Sequence, residues 1–130
     1  MLDVFEHSDY RTLLKDALIK KKGTDGRTYS QEVMAKALRV QRTYLSAVLN
    51  ENGHLNSDQV YAATKFLQFE VDEIQYTSLL HEKCRSVFPD RIAELQKQME
   101  EIVRKYKATE KSVPGSILEE NSIAADFYLD

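Results

Sequence analysis

The chain has 130 residues, 42% of them apolar and 30% charged, with a formal net charge of −3; this is the balance of a folded domain with an appendage, not of a disordered chain. No apolar run approaches the roughly 18 residues that cross a bilayer, and the start, MLDVFEHSDY, lacks the basic and apolar regions of a secretory signal. Cys84 is the only cysteine, which excludes an internal disulfide and leads us to expect a cytoplasmic setting.

Tyr10, Leu13, Leu14, Ala17 and Leu18 recur at i, i+3, i+4, i+7 and i+8, the stripe of a one-sided amphipathic helix. Ser8 is its expected N-cap, Asp9 lies in the first turn and Gly23 is the expected stop. After the polar stretch GTDGRT, Ser30 caps a second helix with Glu32 at its positive end. Tyr29 and Met34 have the spacing of a hydrophobic staple, and Val33, Met34, Ala37 and Leu38 are the expected buried side. A third helix over 41–49 buries Leu45, Val48 and Leu49. Asn56 and Gln59 then form a capping box for a fourth, whose stripe is Val60, Ala63, Phe66 and Leu67. Asp72 caps a fifth, with Ile74, Leu79, Leu80, Cys84 and Val87 turned inward. No segment alternates with period two, so the fold class is all-α.

Beyond Phe88-Pro89, Ile92, Leu95, Met99, Ile102 and Tyr106 step by three and four residues, the spacing of a coiled-coil seam. Such a seam either pairs with a second chain, giving a homodimer, or packs back on its own domain. The break ATEKSVPGS precedes a tail with Ile117, Leu118, Ile123, Phe127, Tyr128 and Leu129, apolar residues expected to dock on this chain or on a protein partner. The expected organisation is a domain over 1–88, a long helix with a candidate dimer seam over 89–108, and a linker with an apolar tail over 109–130.

Charge is unevenly placed along this chain. From Lys20 to Arg42 there are seven bases against two acids, net +5; from Leu49 to Glu82, one base against six acids, net −5. Such asymmetry orients a field, one end attracting anions. The positive part surrounds the corner YSQEVMAKALRVQRTYLSAVLN, residues 29–50, which either meets a polyanion or is merely how a small helical domain turns. A tight corner between two helices needs a small residue at the crossing and aliphatic residues opposite; Ala35, Leu38, Val40, Leu45 and Val48 supply them. Lys20 to Lys22 could reach phosphates from the end of the first helix, but a lysine run at a helix C-terminus is already favourable with its dipole, and that is the preferred reading. His81 and Cys84 at i, i+3 are half of a metal site, but His7 and His54 are isolated, so no metal or cofactor is expected. No nucleophile elbow, phosphate-cradling glycine loop or matched acid and base is found, which argues against an enzyme.

The stretch SQEVMAKALRVQRTYLSAVLNENGHLNSDQVYAATKFLQFEVDEI, with DYRTLLKDALIKKKG before it, resembles the DNA-binding domain of the Xre/Cro, lambda-repressor-like family over about residues 8–82. The resemblance implies a five-helix domain with a helix-turn-helix at its second and third helices. It also implies a transcriptional regulator that binds double-stranded DNA sequence-specifically, as a dimer, with the helix over 41–49 in the major groove. Groove-facing positions fall on Arg42, Thr43, Ser46 and Ala47. Gln41 and Tyr44 lie where sugar-phosphate contacts are typical, although Tyr44 also suits a packing role. The backbone amides of Ser30 and Gln31 match a phosphate-contacting position. Arg42 suits guanine O6 and N7, and Thr43 or Ala47 a thymine methyl; Arg39, at the corner, is a candidate phosphate or base contact. The family usually has glycine where Arg39 and Gln68 stand. Arginine at that turn either bears the steric cost of a positive φ or gives a slightly different turn. A second reading keeps the fold as a protein-interaction module that engages a partner through the long helix and tail.

Overall fold

Where the helices begin and end is set by a few side chains and by three left-handed residues. The computed structural model describes residues 3–24 and 29–112; there it consists of one 3-10 turn and six α-helices, with no strand among the described residues. The 3-10 turn, Val4–Glu6, is closed by the Asp3 carboxylate, which accepts from the Phe5 amide at 3.0 Å. Helix α1 runs Tyr10–Thr24. Its start is held by Asp9, not by Ser8: the Asp9 carbonyl accepts from the Leu13 amide and its carboxylate from the Arg11 amide at 2.8 Å. Aspartate does both jobs of a cap and adds negative charge to the positive helix end. At the other end, Gly23 does not stop the helix, which continues to Thr24. All five residues of the expected stripe, Tyr10 to Leu18, are buried.

Helix α2, Gln31–Leu38, starts at Ser30, whose hydroxyl accepts from the Val33 amide at 3.1 Å. Its buried residues are Met34, Ala35 and Leu38, while Val33 and Ala37 are exposed. The expected face was off by part of a turn because α2 packs on two neighbours, α3 and α4. That shared contact centres the buried stripe on Ala35, whose lone methyl group permits close approach. Tyr29 meets Phe66 of α4 edge-on, ring centroids 5.5 Å apart.

Helix α3, Arg42–Leu49, begins one residue later than expected, after Gln41, whose side chain makes no capping bond. Leu45, Val48 and Leu49 are buried as expected. Helix α4, Ser57–Phe66, opens on the expected capping box: Asn56 Oδ1 accepts from the Gln59 amide at 2.8 Å and Gln59 Oε1 from the Asn56 amide at 2.9 Å. Helix α5, Val71–Arg85, does not start at Asp72. Glu70 precedes it, and the Glu73 carboxylate reaches back to accept from the Glu70 amide at 2.8 Å. Inside α5 the buried residues are Tyr76, Thr77, Leu80 and His81, whereas Val87, expected inside, is 79% exposed beyond the helix end. The Tyr76 hydroxyl donates to the Phe5 carbonyl at 3.2 Å, and its ring meets Phe5 edge-on at 5.2 Å, which fastens the N-terminal turn to α5.

Helix α6 is Pro89–Ser112. The chain falls into two contact units, one ending at Met99 and one beginning at Glu100. In the first, Leu95 and Met99 are buried, and Lys83 and Arg91 bond Gln96 and Glu82 at 2.6 and 2.9 Å. In the second, residues 100–112 are helical, with Glu101 paired to Arg104 and, at 3.9 Å, to Lys105.

Helices α2, α3 and α4 end alike. Arg39, Glu51 and Gln68 have φ of 61, 67 and 60°. Their amides bond the carbonyls of Lys36, Val48 and Lys65, and the next amides reach back to Ala35, Ala47 and Thr64. This is the Schellman closure, three times over, each with a side chain where glycine is the usual occupant. A β-carbon in that region is strained by about 1–2 kcal/mol. Gln68 is exposed and makes no side-chain bond to a described residue, so Gln68→Gly is expected to stabilise the fold. We expect a gain of about 0.5–1 kcal/mol after glycine's extra unfolded-state entropy is subtracted. A urea unfolding midpoint that stays put or falls would contradict this.

Candidate nucleic-acid interface

The corner between α2 and α3 puts the front of α3 on the surface. With Arg39 left-handed and Val40 bonded back to Ala35, the chain reverses within three residues and α3 starts at once. Arg39, Gln41, Arg42, Thr43 and Tyr44 are exposed; Ser30, Gln31, Ser46 and Ala47 are half-buried. Several of these residues share a cavity of about 500 Å³, lined by Ser30, Gln31 and Glu32 of the α2 start, Arg42 and Ser46 of α3, and Lys22 from the end of α1. Because the Ser30 hydroxyl already caps Val33, this end offers an anion the Gln31 and Glu32 amides, which have no intrahelical partner. Of the two roles weighed for Lys20 to Lys22, the α1 dipole and a phosphate contact, the cavity leaves the second open for Lys22. Lys21 behaves differently, with its ammonium 5.5 Å from the centre of the Tyr29 ring. Arg27 lies outside the described residues.

The rear of α3 is tied down by a ladder of bonds to α1. Lys15 donates to Asn50 Oδ1 at 2.9 Å, Thr12 to Glu51 Oε2 at 3.3 Å, and Arg11 to the Gly53 carbonyl at 3.0 Å. Asp9 grips the same Arg11 guanidinium at 3.1 and 2.9 Å. Burial works to raise the Asp9 carboxyl, but the hydrogen bonds and charge of Arg11 outweigh it and hold the carboxyl below its ordinary value. At the end of the ladder stands Tyr10, wholly buried, whose oxygen accepts from the Leu55 amide at 2.9 Å and lies 2.9 Å from His54 Nδ1. From the other side His81 Nε2 donates to the Leu55 carbonyl at 2.7 Å, with Arg85 Nη1 at 3.3 Å from the same oxygen. The His81 and Tyr10 rings meet edge-on at 4.8 Å. Tyr44 closes the set by donating to the His54 carbonyl, so its hydroxyl is engaged inside the chain and not left for a phosphate. Of its two expected roles, the hydrogen bond favours the packing one.

Burial pushes both imidazoles below their ordinary value: for His54 the charges of Arg11 and Arg85 add to it, and for His81 Arg85 adds while the bond to Leu55 opposes. Burial also raises the Tyr10 phenol, against the Leu55 amide. His81 is therefore a neutral structural donor. Cys84, its expected companion at i+3, is half-buried with its sulfur 3.8 Å from the Ser8 carbonyl oxygen, and burial raises its thiol.

In the expected dimer seam, Leu95 and Met99 are only 4% and 3% exposed within the single chain, and Ile92, Ile102 and Tyr106 are half-buried. A stripe with three- and four-residue steps serves an intramolecular core as readily as a coiled coil, and Leu95 and Met99 already serve one. The apolar tail over 113–130 lies outside the described residues. No helix among the described residues is long and apolar enough to cross a membrane.

Of the nine expected interface residues, the corner brings Ser30, Gln31, Arg42 and Ser46 to one cavity. The sequence favours the α1 dipole over a phosphate contact for Lys20 to Lys22 and marks Glu32 only as a helix-end charge, because nothing in it locally says that the end of α1 returns beside the start of α3. No protein-family model, curated protein or solved structure matches this chain.

Tyr10→Phe removes the acceptor of a buried amide and should cost about 1–3 kcal/mol, the range for an unsatisfied buried donor, read from urea unfolding. Stability should also fall as pH drops through about 6.5, because unfolded histidines then take up protons that the neutral folded His54 and His81 refuse. The thermal midpoint at about pH 5.5 is expected below that at about pH 7.5. His81→Gln, which retains a donor for Leu55, should show a shallower fall.

Proposed function

We propose that this chain is a sequence-specific DNA-binding regulator of helix-turn-helix type, with α3 as the helix that enters the major groove. The observation that carries this reading is the exposed front of α3: Arg42 and Thr43 stand clear of other side chains' cover, beside a cavity to which Lys22 adds a second cation. A guanidinium at that position has the reach and fork geometry for a guanine edge, and the α2 amides beside it suit a backbone phosphate. The resemblance to the Xre/Cro, lambda-repressor-like pattern supports the same residues. Left-handed Arg39 fits as well, because the backbone takes the conformation that glycine provides in that pattern.

Binding as a dimer belongs to this proposal, with half-sites about one helical turn apart. Leu95 and Met99 serve the chain's own core, so a second chain would meet Ile92, Ile102 or Tyr106, which retain exposed surface. One observation favours the protein-interaction reading: Val87 and Phe88, between α5 and α6, are 79% and 65% exposed. Adjacent apolar side chains on a surface suit a protein partner better than a nucleic acid.

Salt separates the two readings. Affinity for a random-sequence duplex pool should fall steeply between about 50 and 200 mM salt as phosphates exchange counterions for side chains. A protein-interaction module would show no such binding. Once a preferred site has been selected from the pool, Arg42→Ala should cost about 1–3 kcal/mol and relax preference at one base pair. Unchanged affinity and preference would remove Arg42 from the reading set.

A further inference from the structure

The cavity at the front of α3 holds two opposed kinds of charge that lie far apart in sequence. Lys22 of α1 and Arg42 of α3 line it together with one acid, Glu32, from the first turn of α2. All three side chains are exposed, and none is ion-paired with another described residue. Among the described residues no acid caps either cation, and the carboxylate subtracts from their joint field. Lys20, two residues earlier in the same basic run, does not line the cavity.

Resting on the DNA-binding reading above, we infer that Lys22 is the seat for a backbone phosphate beside the base-reading Arg42, whose charge adds to the field there, and that Glu32 is its brake. A phosphate entering the cavity meets the two attractive charges and the one repulsive charge that line it, and charges that share a cavity act inside the range that salt does not fully screen. Attraction wins, so the seat binds. The uncancelled carboxylate lowers its hold on DNA of any sequence, because backbone contacts carry no sequence information. Occupancy of random DNA is kept low while the groove contacts of α3 are untouched. Glu32 in the first turn also favours the α2 dipole, but a role confined to the helix predicts no change in DNA affinity when the charge is removed.

The experiment uses the full chain, a fluorescent random-sequence duplex and anisotropy titrations between about 50 and 200 mM salt. Lys22→Ala should weaken binding about two- to five-fold at low salt and reduce the salt slope by about one ion. Glu32→Gln should tighten it about two- to five-fold. Lys20→Ala should change it less than either, and circular dichroism should show all three variants folded like the parent. If Glu32→Gln binds no tighter than the parent, or Lys22→Ala is no worse than Lys20→Ala, the inference is overturned while the DNA-binding reading stands. A parent chain that ignores duplex DNA even at low salt overturns both.

Discussion

The amide N–H and carbonyl of Leu55 tie α1 and α5 to the link between α3 and α4. Leu55 is fully buried in the link between α3 and α4, so both its backbone groups must find partners inside the chain. Tyr10 of α1 takes the N–H, and His81 of α5 donates to the carbonyl. Two helices far apart in sequence are thus joined through one residue, and the Tyr10 and His81 rings pack edge-on against each other. The ladder from Lys15 to Arg11 then runs along the same link and fixes the rear of α3 against α1. A helix of eight residues is too short to hold itself in water. Anchoring it from behind leaves its front half able to stay exposed without fraying.

That division of labour explains the placement of charge. The anchored rear of α3 is apolar and hydrogen-bonded; Tyr44, at the boundary, points its hydroxyl at the His54 carbonyl. The front carries Arg42, and the neighbouring helix ends bring Lys22 and Glu32 to the same cavity. The net +5 between Lys20 and Arg42 is therefore only partly concentrated here, because Lys21 is occupied with the Tyr29 ring and Lys36 is exposed on the last turn of α2. An overall charge of −3 is no obstacle to an anion-attracting corner; potential depends on where charges stand, and screening within about 10 Å isolates the corner from distant acids.

Periodicity made α1 legible residue by residue, because that helix buries one continuous stripe. It failed by part of a turn for α2, where Ala35 is buried and Val33 is not, since hydrophobicity cannot report that two neighbours share the face. At the start of α5 three candidate acids, Glu70, Asp72 and Glu73, lie close together, and composition does not say which one reaches back; Glu73 does. His81 looked like half a metal site because a titratable ring at i, i+3 from cysteine has the same pattern whether it binds a metal or a carbonyl. Eight of the nine interface positions came from resemblance to a known pattern, and Arg39 from the charge at the corner; periodicity alone would have marked Arg42 and Thr43 only as exposed. Lys22 could not be singled out from Lys20 and Lys21 for a simpler reason: which lysine of the run comes beside α3 is a tertiary fact.

The three left-handed helix ends differ in what their side chains return for the strain. Glu51 accepts a hydrogen bond from Thr12 of α1, so its carboxylate helps to seat the rear of α3, which glycine could not do. Arg39 stands exposed at the corner beside the proposed interface, where a cation is useful to a polyanion and glycine would contribute none. Gln68 has neither role among the described residues. Non-glycine strain of equal kind at three equivalent positions thus has a structural return at Glu51, an electrostatic one at Arg39 only under the proposed function, and none among the described residues at Gln68. Strain is most readily tolerated where the surrounding structure over-determines it, and the corner qualifies: Val40 is bonded to Ala35, Ala35 is packed against two helices, and α3 is pinned from behind. The rigidity supplied by Leu55 at the rear is what lets the front carry an arginine in a conformation made for glycine.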